Sequence, residues 1–310
     1  MSKIRILLIC REIPSHKSIF GYGYAQFVHE QVIELRKLGL YVEVFLITKG
    51  GIKGYINHLS EIKDVIKVKN IDVLHAHGGH LGAICVLQNL VPVVTTYHGS
   101  DINNIKNRII SHISIMLSKK NIFVSRGIQR KAIRKSSIVI PCGVDTKLFR
   151  EFSRRKARNY FGFNEEDIIL FAGQFDRQVK NPKLALEIAD NLNIKIIELK
   201  NYTRKEVFLL LNSVDLLLMT SYSEGSPQII KEAMACNCPI VSTDVGDVKE
   251  LISNVSNSYI VNSEADDAIN YIRIVLKCNN RSNGREVIEK REIDLISIAR
   301  KIELIYKKVL

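Results

Sequence analysis

Leu216-Leu-Leu-Met219 is followed by Thr-Ser221-Tyr-Ser-Glu224-Gly225-Ser226-Pro227 and then by Gln228-Ile-Ile-Lys-Glu232-Ala-Met-Ala235. The continuous apolar run is what a parallel strand buried on both faces requires. Ser226 is a good helix N-cap and Pro227 fits the first helical position, so the stretch reads strand, loop, helix. The first free N–H groups of such a helix point toward the strand's carboxyl end and form an anion site. Gln228 and Ile229 supply the donors, because proline has none. Glu224 stands before the helix and Glu232 about a turn and a half inside it. A carboxylate there is ordinarily solvated, and a bound phosphate would repel it. Two carboxylates around an anion site make sense if they hold neutral hydroxyls, such as those of a nucleotide sugar. On the local pattern alone, a capped helix carrying one surface Glu reads equally well.

Outward from this unit the same rhythm fills the chain. In the first half, strands are expected at 4–10, 41–47, 73–75, 93–97, 122–124 and 138–140, with a helix at 25–38 that ends at Gly39, a natural C′ residue. Pro141-Cys-Gly143-Val-Asp145 breaks the pattern. The second half restarts it, with strands expected at 168–172, 194–199, 216–219, 240–242 and 259–261 and terminal helices at 265–276 and 293–310. Strands alternating with helices predict an α/β fold of two doubly wound, Rossmann-like parallel-sheet domains facing a cleft, with ligands at the carboxyl ends of the strands. The expected division is 1–143, 144–292, and a final helix, 293–310, returning to the first domain. The interval from Ile47 to Asp72 leaves little room for a further strand and helix pair.

The 310 residues carry 45 Lys+Arg against 32 Asp+Glu, a net charge of +13. All of the excess lies in residues 1–150, which hold 22 basic and 9 acidic residues; the remainder is neutral, with 23 of each. A basic half beside a neutral half implies two surfaces with different partners. With 46% hydrophobic and 25% charged residues the composition is that of a globular protein, which excludes a disordered tail or a small disulfide scaffold. The six cysteines show no framework spacing, and only Cys236 and Cys238 are close, so a reduced, cytoplasmic protein is expected. No signal peptide is expected, and no run approaches the ~18 apolar residues of a membrane span.

Several motifs recur in order. Glu224-Gly225 precedes Glu232 by eight positions, and Ala-Met-Ala-Cys-Asn-Cys-Pro-Ile-Val-Ser-Thr-Asp-Val-Gly follows; upstream stand a glycine-bearing loop after strand one, His98-Gly-Ser-Asp101, Ile140-Pro-Cys-Gly-Val-Asp145, and Phe171-Ala-Gly173-Gln174-Phe175 leading to Lys180-Asn181. Together they resemble the family-4 retaining glycosyltransferases of the "group 1" type, and the resemblance extends over most of the chain. It implies the GT-B fold and transfer of a sugar from a nucleotide-diphosphate sugar, UDP ahead of GDP, to a hydroxyl acceptor with retention and without a metal or other cofactor. It points to bacterial polysaccharide biosynthesis at the cell envelope.

Carried over by position, the resemblance puts Glu224 on the donor sugar's hydroxyls, Glu232 on the ribose and Lys180 on the diphosphate. Gly173, Gln174, Arg177, Gly225, Ser226, Pro227, Gln228 and Ile229 complete the donor set. A fixed cation is chemically apt, since charge grows on the β-phosphate as the glycosidic bond breaks. The sequence departs from the family at Gln174, where an Arg is usual; Arg177, three residues on, is the candidate replacement. His98 is expected near the reacting centre and, with Lys180 and Glu224, forms the expected catalytic set. Asp101 follows it, although a His-Gly-Ser-Asp loop is also an ordinary Asx turn. Gly21-Tyr22-Gly23 allows close backbone approach but lacks the third glycine of a dinucleotide fingerprint. His75-Ala-His77 and His80 have no local carboxylate to complete a metal site, so His77 and His80 are expected to line the cleft or the acceptor path.

Two other functions stay open at this level: a sugar-nucleotide epimerase on the same fold, and a non-catalytic sugar-binding subunit. A nucleic-acid partner is not expected, because no zinc finger, aromatic reading motif or clear helix-turn-helix accompanies the basic half. Residues 103–120 instead place Ile105, Ile109, Ile110, Ile113, Met116 and Leu117 on one broad apolar side, with Lys106, Arg108, Lys119 and Lys120 near the ends; Arg126, Arg130, Lys131, Arg134 and Lys135 follow. This pattern predicts either an ordinary core helix or a surface that rests on an anionic membrane, peripheral to its inner face, and meets a lipid-linked or polysaccharide glycan acceptor.

Overall fold

A computed structural model describes residues 3–13, 24–48, 51–133, 135–164 and 166–310. In chain order the elements are β1 (Arg5–Arg11), α1 (Gln26–Lys37), β2 (Tyr41–Ile47), α2 (Gly51–Lys69), β3 (Val73–His77), α3 (Gly79–Cys85), β4 (Val93–Tyr97), α4 (Ser100–Asn103), α5 (Ile105–Leu117), β5 (Lys120–Phe123), α6 (Arg126–Arg130) and β6 (Ser137–Val139). There follow α7 (Arg154–Phe161), β7 (Ile168–Phe171), α8 (Pro182–Leu192), β8 (Lys195–Glu198), α9 (Arg204–Ser213), β9 (Leu216–Met219), α10 (Gln228–Ala235), β10 (Ile240–Thr243), α11 (Val248–Ile252), β11 (Ser258–Val261), α12 (Ala265–Cys278), α13 (Gly284–Arg291) and α14 (Leu295–Val309). Gly21, Tyr22, Gly23 and Arg134 lie outside the described residues.

The chain divides into two compact units, 1–143 with Leu295–Leu310, and Val144–Asp294. The second unit runs two residues beyond the expected 292, because Val144 N–H donates to the Ile293 carbonyl at 3.1 Å and Val144 bridges Asp294. The first unit holds a six-stranded sheet in the order β2-β1-β3-β4-β5-β6; the second holds a five-stranded sheet, β11-β10-β9-β7-β8. Every strand pair is parallel. All strand carboxyl ends of a unit therefore open on one sheet edge, where its loops gather. The interval from Ile47 to Asp72 holds the single helix α2, a crossover from β2 to β3.

In the first unit Ile6, Leu8, Val28, Val32 and Leu35 pack with Ile298, Ile302 and Ile305 of α14. The sheet's other face is covered by Ile62, Ile66 and Leu81. Burial at this scale contributes about 1.5–3 kcal/mol per large apolar side chain. The polar fixture of this core is His75, fully buried: its Nδ1 lies 2.6 Å from the Tyr306 hydroxyl on α14, and its Nε2 2.7 Å from Thr96 Oγ1. Burial disfavours the imidazolium and pushes the His75 pKa down to about 3.

Helix α5 packs on α3 through unusually small residues. A Cβ on Gly79 would fall 2.5 Å from Ser111 Cβ, and one on Gly82 2.7 Å from Thr95 Cγ2. Ser111 and Ser114 are completely buried and hydrogen-bonded inward. The helix is held by Ser111 and Ser114 against glycines, with Ile115 buried beside them, while Ile105, Ile109, Ile110 and Ile113 face the other side.

The depressed His75 pKa fixes a sign. An unfolded histidine takes up a proton near pH 6.5 while folded His75 stays neutral, so the unfolded state binds more protons and stability falls with falling pH. The loss from this group runs from about pH 6.5 to about 3, at up to ~1.4 kcal/mol per pH unit. Urea unfolding of the protein and of His75→Gln across this range checks it: the variant is less stable at neutral pH, but its stability falls less steeply with acid.

Candidate functional site

Two clusters of polar side chains stand at the carboxyl edges of the two sheets, one on each unit. In the second unit the loop after β7 carries Gly173, Gln174 and Arg177 and closes in a tight 3-10 turn at Gln178–Lys180, followed by Asn181 in left-handed conformation. The turn is tied to the end of β9, where Thr220 Oγ1 donates to the carbonyls of Lys180 and Asn181 at 2.9 Å each. Gly173 is a glycine for a steric reason: a Cβ there would lie 2.8 Å from both Cβ and Cγ of Lys180. The lysine stem lies across that bare backbone, and its ammonium reaches Glu224 Oε1 at 2.6 Å. Both side chains stay partly exposed, at 23% for Lys180 and 17% for Glu224, so the pair can be opened by a ligand.

Helix α10 begins at Gln228, and Pro227, not Ser226, occupies the cap position with no side-chain cap bond. The expectation that Ser226 caps the helix is corrected. Its hydroxyl is drawn beneath the loop, donating to Asp247 Oδ2 at 2.7 Å and accepting from Lys231 Nζ at 3.0 Å. Lys231 is completely buried, and burial raises the Asp247 pKa while Lys231 opposes the rise. Gly225 is fixed by the next loop: Gly246, with φ of +62°, sits where a Cβ would come 2.6 Å from the Gly225 carbonyl oxygen. Gln228 and Ile229 form the first turn of α10, which starts with no side-chain bond from its cap residue.

Glu232 is 3% exposed, contrary to the ordinary solvated reading. It is paired with Arg204, whose guanidinium also stacks at 4.5 Å over the Phe149 ring. Arg204 and Lys231 were not singled out in the sequence. Arg204 had a signal, since Thr203 and Glu206 form a capping box that starts a helix at the carboxyl edge after β8. Arg177 is exposed at the start of the 3-10 turn, and Gln174 is half-buried.

In the first unit His77, His80, His98 and Asp101 line one cavity of about 370 Å³ together with Arg11, Ser100 and Asn107. His98 Nε2 lies 3.1 Å from His77 Nδ1, with the rings stacked at 5.3 Å, and Phe27 packs on His98 at 4.8 Å. His77 stacks in turn on His75 at 4.5 Å. Burial, then the neighbouring histidines, hold the His77 pKa well below its usual value, so this ring is neutral at physiological pH. Asp101 is buried and accepts from the backbone N–H groups of His98 (3.1 Å), Gly99 (2.8 Å) and Gly79 (3.2 Å). The Asx-turn reading holds for it, and its carboxylate fixes the shape of the His98 loop. Among the described residues no group of three or more His, Cys, Asp or Glu side chains is placed to hold a metal ion. The six cysteines are free thiols.

The Gly173 contact gives a direct test. Gly173→Ala drives a methyl into the Lys180 stem at its root, where the chain cannot swing clear, and costs about 1–3 kcal/mol, an overpacking penalty. Gln174→Ala, one residue on, stays within about 0.5 kcal/mol of the parent. Urea unfolding of the two variants side by side reads the difference.

Comparison with known proteins identifies the family and the fold. Residues 22–148 match the model of Glycosyltransferase Family 4, and residues 191–292 that of Glycosyl transferases group 1. An uncharacterized glycosyltransferase of Methanocaldococcus jannaschii, MJ1178, is 28% identical over 246 residues, 68% of this chain and 66% of that protein. N-acetyl-alpha-D-glucosaminyl L-malate synthase of Bacillus anthracis is 23% identical over 261 residues, 69% of this chain and 68% of its own length. The chain thus spans about two thirds of the length of these curated relatives. The crystal structure of Anabaena HepE in complex with UDP superposes with a TM-score of 0.76 at 14% identity, covering 98% of this chain and all of the other, a likeness of fold. With both halves matched and two parallel-sheet α/β domains of GT-B type in place, the chain belongs to the family-4, group 1 glycosyltransferases.

Proposed function

We propose that the protein is a retaining glycosyltransferase that moves a sugar from a nucleotide-diphosphate sugar, UDP first and GDP second, to a hydroxyl of a polysaccharide or lipid-linked glycan acceptor. The observation that carries this reading is the Lys180–Glu224 pair, whose carboxylate stands four residues before the start of α10. A cation, a helix N-terminus and a carboxylate are thereby set within one ligand's reach, as a sugar diphosphate demands.

In this reading the donor opens the pair. Glu224 turns to the sugar's hydroxyls and the Lys180 ammonium to the diphosphate, where the N–H groups of Gln228 and Ile229 also point. Glu232 takes the ribose hydroxyls, with Arg204 balancing its charge. The bond between the anomeric carbon and the β-phosphate oxygen breaks, and the acceptor oxygen bonds to the same face of that carbon. The acceptor's proton passes to the departing phosphate. No carboxylate nucleophile of the glycosidase kind is needed. Catalysis rests on positioning and on stabilising the charge that grows on the phosphate, and no metal is invoked. His98, with His77 hydrogen-bonded behind it, belongs to the catalytic set, and His77 and His80 line the cleft or acceptor path. The fold similarity to a protein crystallised with UDP supports the choice of base.

A thermal-shift screen against UDP, GDP, ADP and their sugars tests the donor site. A ligand at about 100 times its dissociation constant adds ~2.7 kcal/mol, which is readily seen. A UDP compound is expected to shift the transition, and silence from all of them contradicts the assignment. With a turnover assay in hand, Lys180→Ala lowers kcat by about 10²–10³, the effect of removing one oriented group that stabilises developing charge. Nucleotide binding with no turnover on any acceptor would instead favour a sugar-binding subunit.

A further inference from the structure

We propose that α5 is a membrane-docking helix that lies in the surface of an anionic bilayer with its isoleucine face down. The helix is turned inside out relative to an ordinary amphipathic helix packed on a sheet. Its inward positions are Ser111, Ser114 and Ile115, all buried. The serine hydroxyls are satisfied there, Ser111 by the Asp101 and Asn107 carbonyls and Ser114 by Thr95 and Tyr97. Because glycines of α3 meet these serines at contact distance, a larger side chain at position 111 or 114 would not fit.

The outward face is therefore apolar by construction. Ile105, Ile109 and Ile113 are exposed by 67%, 65% and 51%, and Leu117 by 61%. Positions 105, 109, 113 and 117 recur every four residues, so they form one stripe along the helix, with Ile110 and Met116 beside it. A continuous exposed stripe of this size marks an interaction surface, unlike scattered single apolar residues.

Charge decides the occupant. Between Asp101 and Asp145 the sequence contains no acidic residue and nine Lys or Arg. The structure brings two lysines from outside the helix to its two ends: Lys131 Nζ donates to Asn103 Oδ1 at 2.8 Å before the start, and Lys135 Nζ donates to the Met116 carbonyl at 2.7 Å near the finish. Lys106 and Lys119 are exposed as well. An apolar stripe flanked at both ends by lysines fits acyl chains below and anionic headgroups around. A second copy of the same face would set positive rims against each other. The 13-residue helix is shorter than the ~20 residues needed to cross, and among the described residues no helix is long and apolar enough to span a membrane, so α5 lies in the plane. The docking rests on the proposed function only in giving a lipid-linked acceptor its surface.

Co-sedimentation with vesicles of phosphatidylcholine alone, and of phosphatidylcholine mixed with phosphatidylglycerol, tests this. The full chain is expected to bind the anionic vesicles and to lose affinity in high salt, with little binding to the neutral ones. Ile109→Ser/Ile113→Ser weakens binding to anionic vesicles about tenfold or more, and Lys131→Ser/Lys135→Ser by roughly tenfold. The four side chains are exposed, so circular dichroism and the unfolding transition stay as in the parent and report any loss of fold. Failure of the parent to bind anionic vesicles overturns the proposal, as does unchanged binding by the isoleucine variant. A dimer in light scattering that this variant converts to monomer, with no vesicle binding, overturns it in favour of a second copy. The thermal shift produced by UDP is read on the same variants. It is unchanged by these substitutions if the donor site stands, so the two readings fail separately.

Discussion

An ammonium held 2.6 Å from a carboxylate organises the second unit. Lys180 can reach Glu224 because the strand–loop corner at Gly173 has no side chain, and because Thr220 ties down the carbonyls of the lysine's own turn. Neither group is sealed off from water, so the attraction is moderated by solvent and the pair can exchange partners. That balance suits a site that must give up an internal contact for a ligand carrying both phosphate charge and hydroxyls. Around it the deeper charges are settled internally: Arg204 meets Glu232, and Lys231 meets Ser226 above Asp247. Of the two ion pairs, Lys180–Glu224 is the more exposed.

The first unit uses its polar groups differently. A file of three histidines runs from the core to the cavity: His75 between Tyr306 and Thr96, then His77, then His98. Burial keeps the inner two rings neutral, so the file acts as a stack of hydrogen-bonding and packing surfaces. Asp101 holds the glycine-bearing turns of two neighbouring loops through their N–H groups. Close packing of α3 on α5 is achieved with glycine and serine, and its cost is an apolar helix face left in water, which the proposed docking puts to use.

Much of this was legible in the residues. An apolar run such as Leu216–Met219 is too continuous for a half-buried strand, and it proves buried along its whole length in a parallel sheet. Gly39, expected as a helix terminator, takes φ of +93° just past α1. What escaped were pairings made across long stretches of chain. Glu232 looked solvated because nothing near it in sequence reveals Arg204, 28 residues earlier. Ser226 had the chemistry of an N-cap, and the tertiary pull of Asp247 and Lys231 outweighed it. Lys231 carried a weak signal: in Gln228-Ile-Ile-Lys-Glu232-Ala-Met-Ala the apolar residues run round the helix, leaving no clear solvent face. On α5 the periodicity identified the apolar stripe, but only the glycines of α3 show that it faces out.

The most direct test of the donor site is a crystal structure of the protein soaked with a non-transferable UDP-sugar analogue. The account predicts the Lys180 ammonium on the diphosphate, Glu224 accepting from the sugar's hydroxyls, and Glu232 on the ribose, with the Lys180–Glu224 contact broken. An analogue bound elsewhere, with that contact still closed over an empty strand edge, would contradict it.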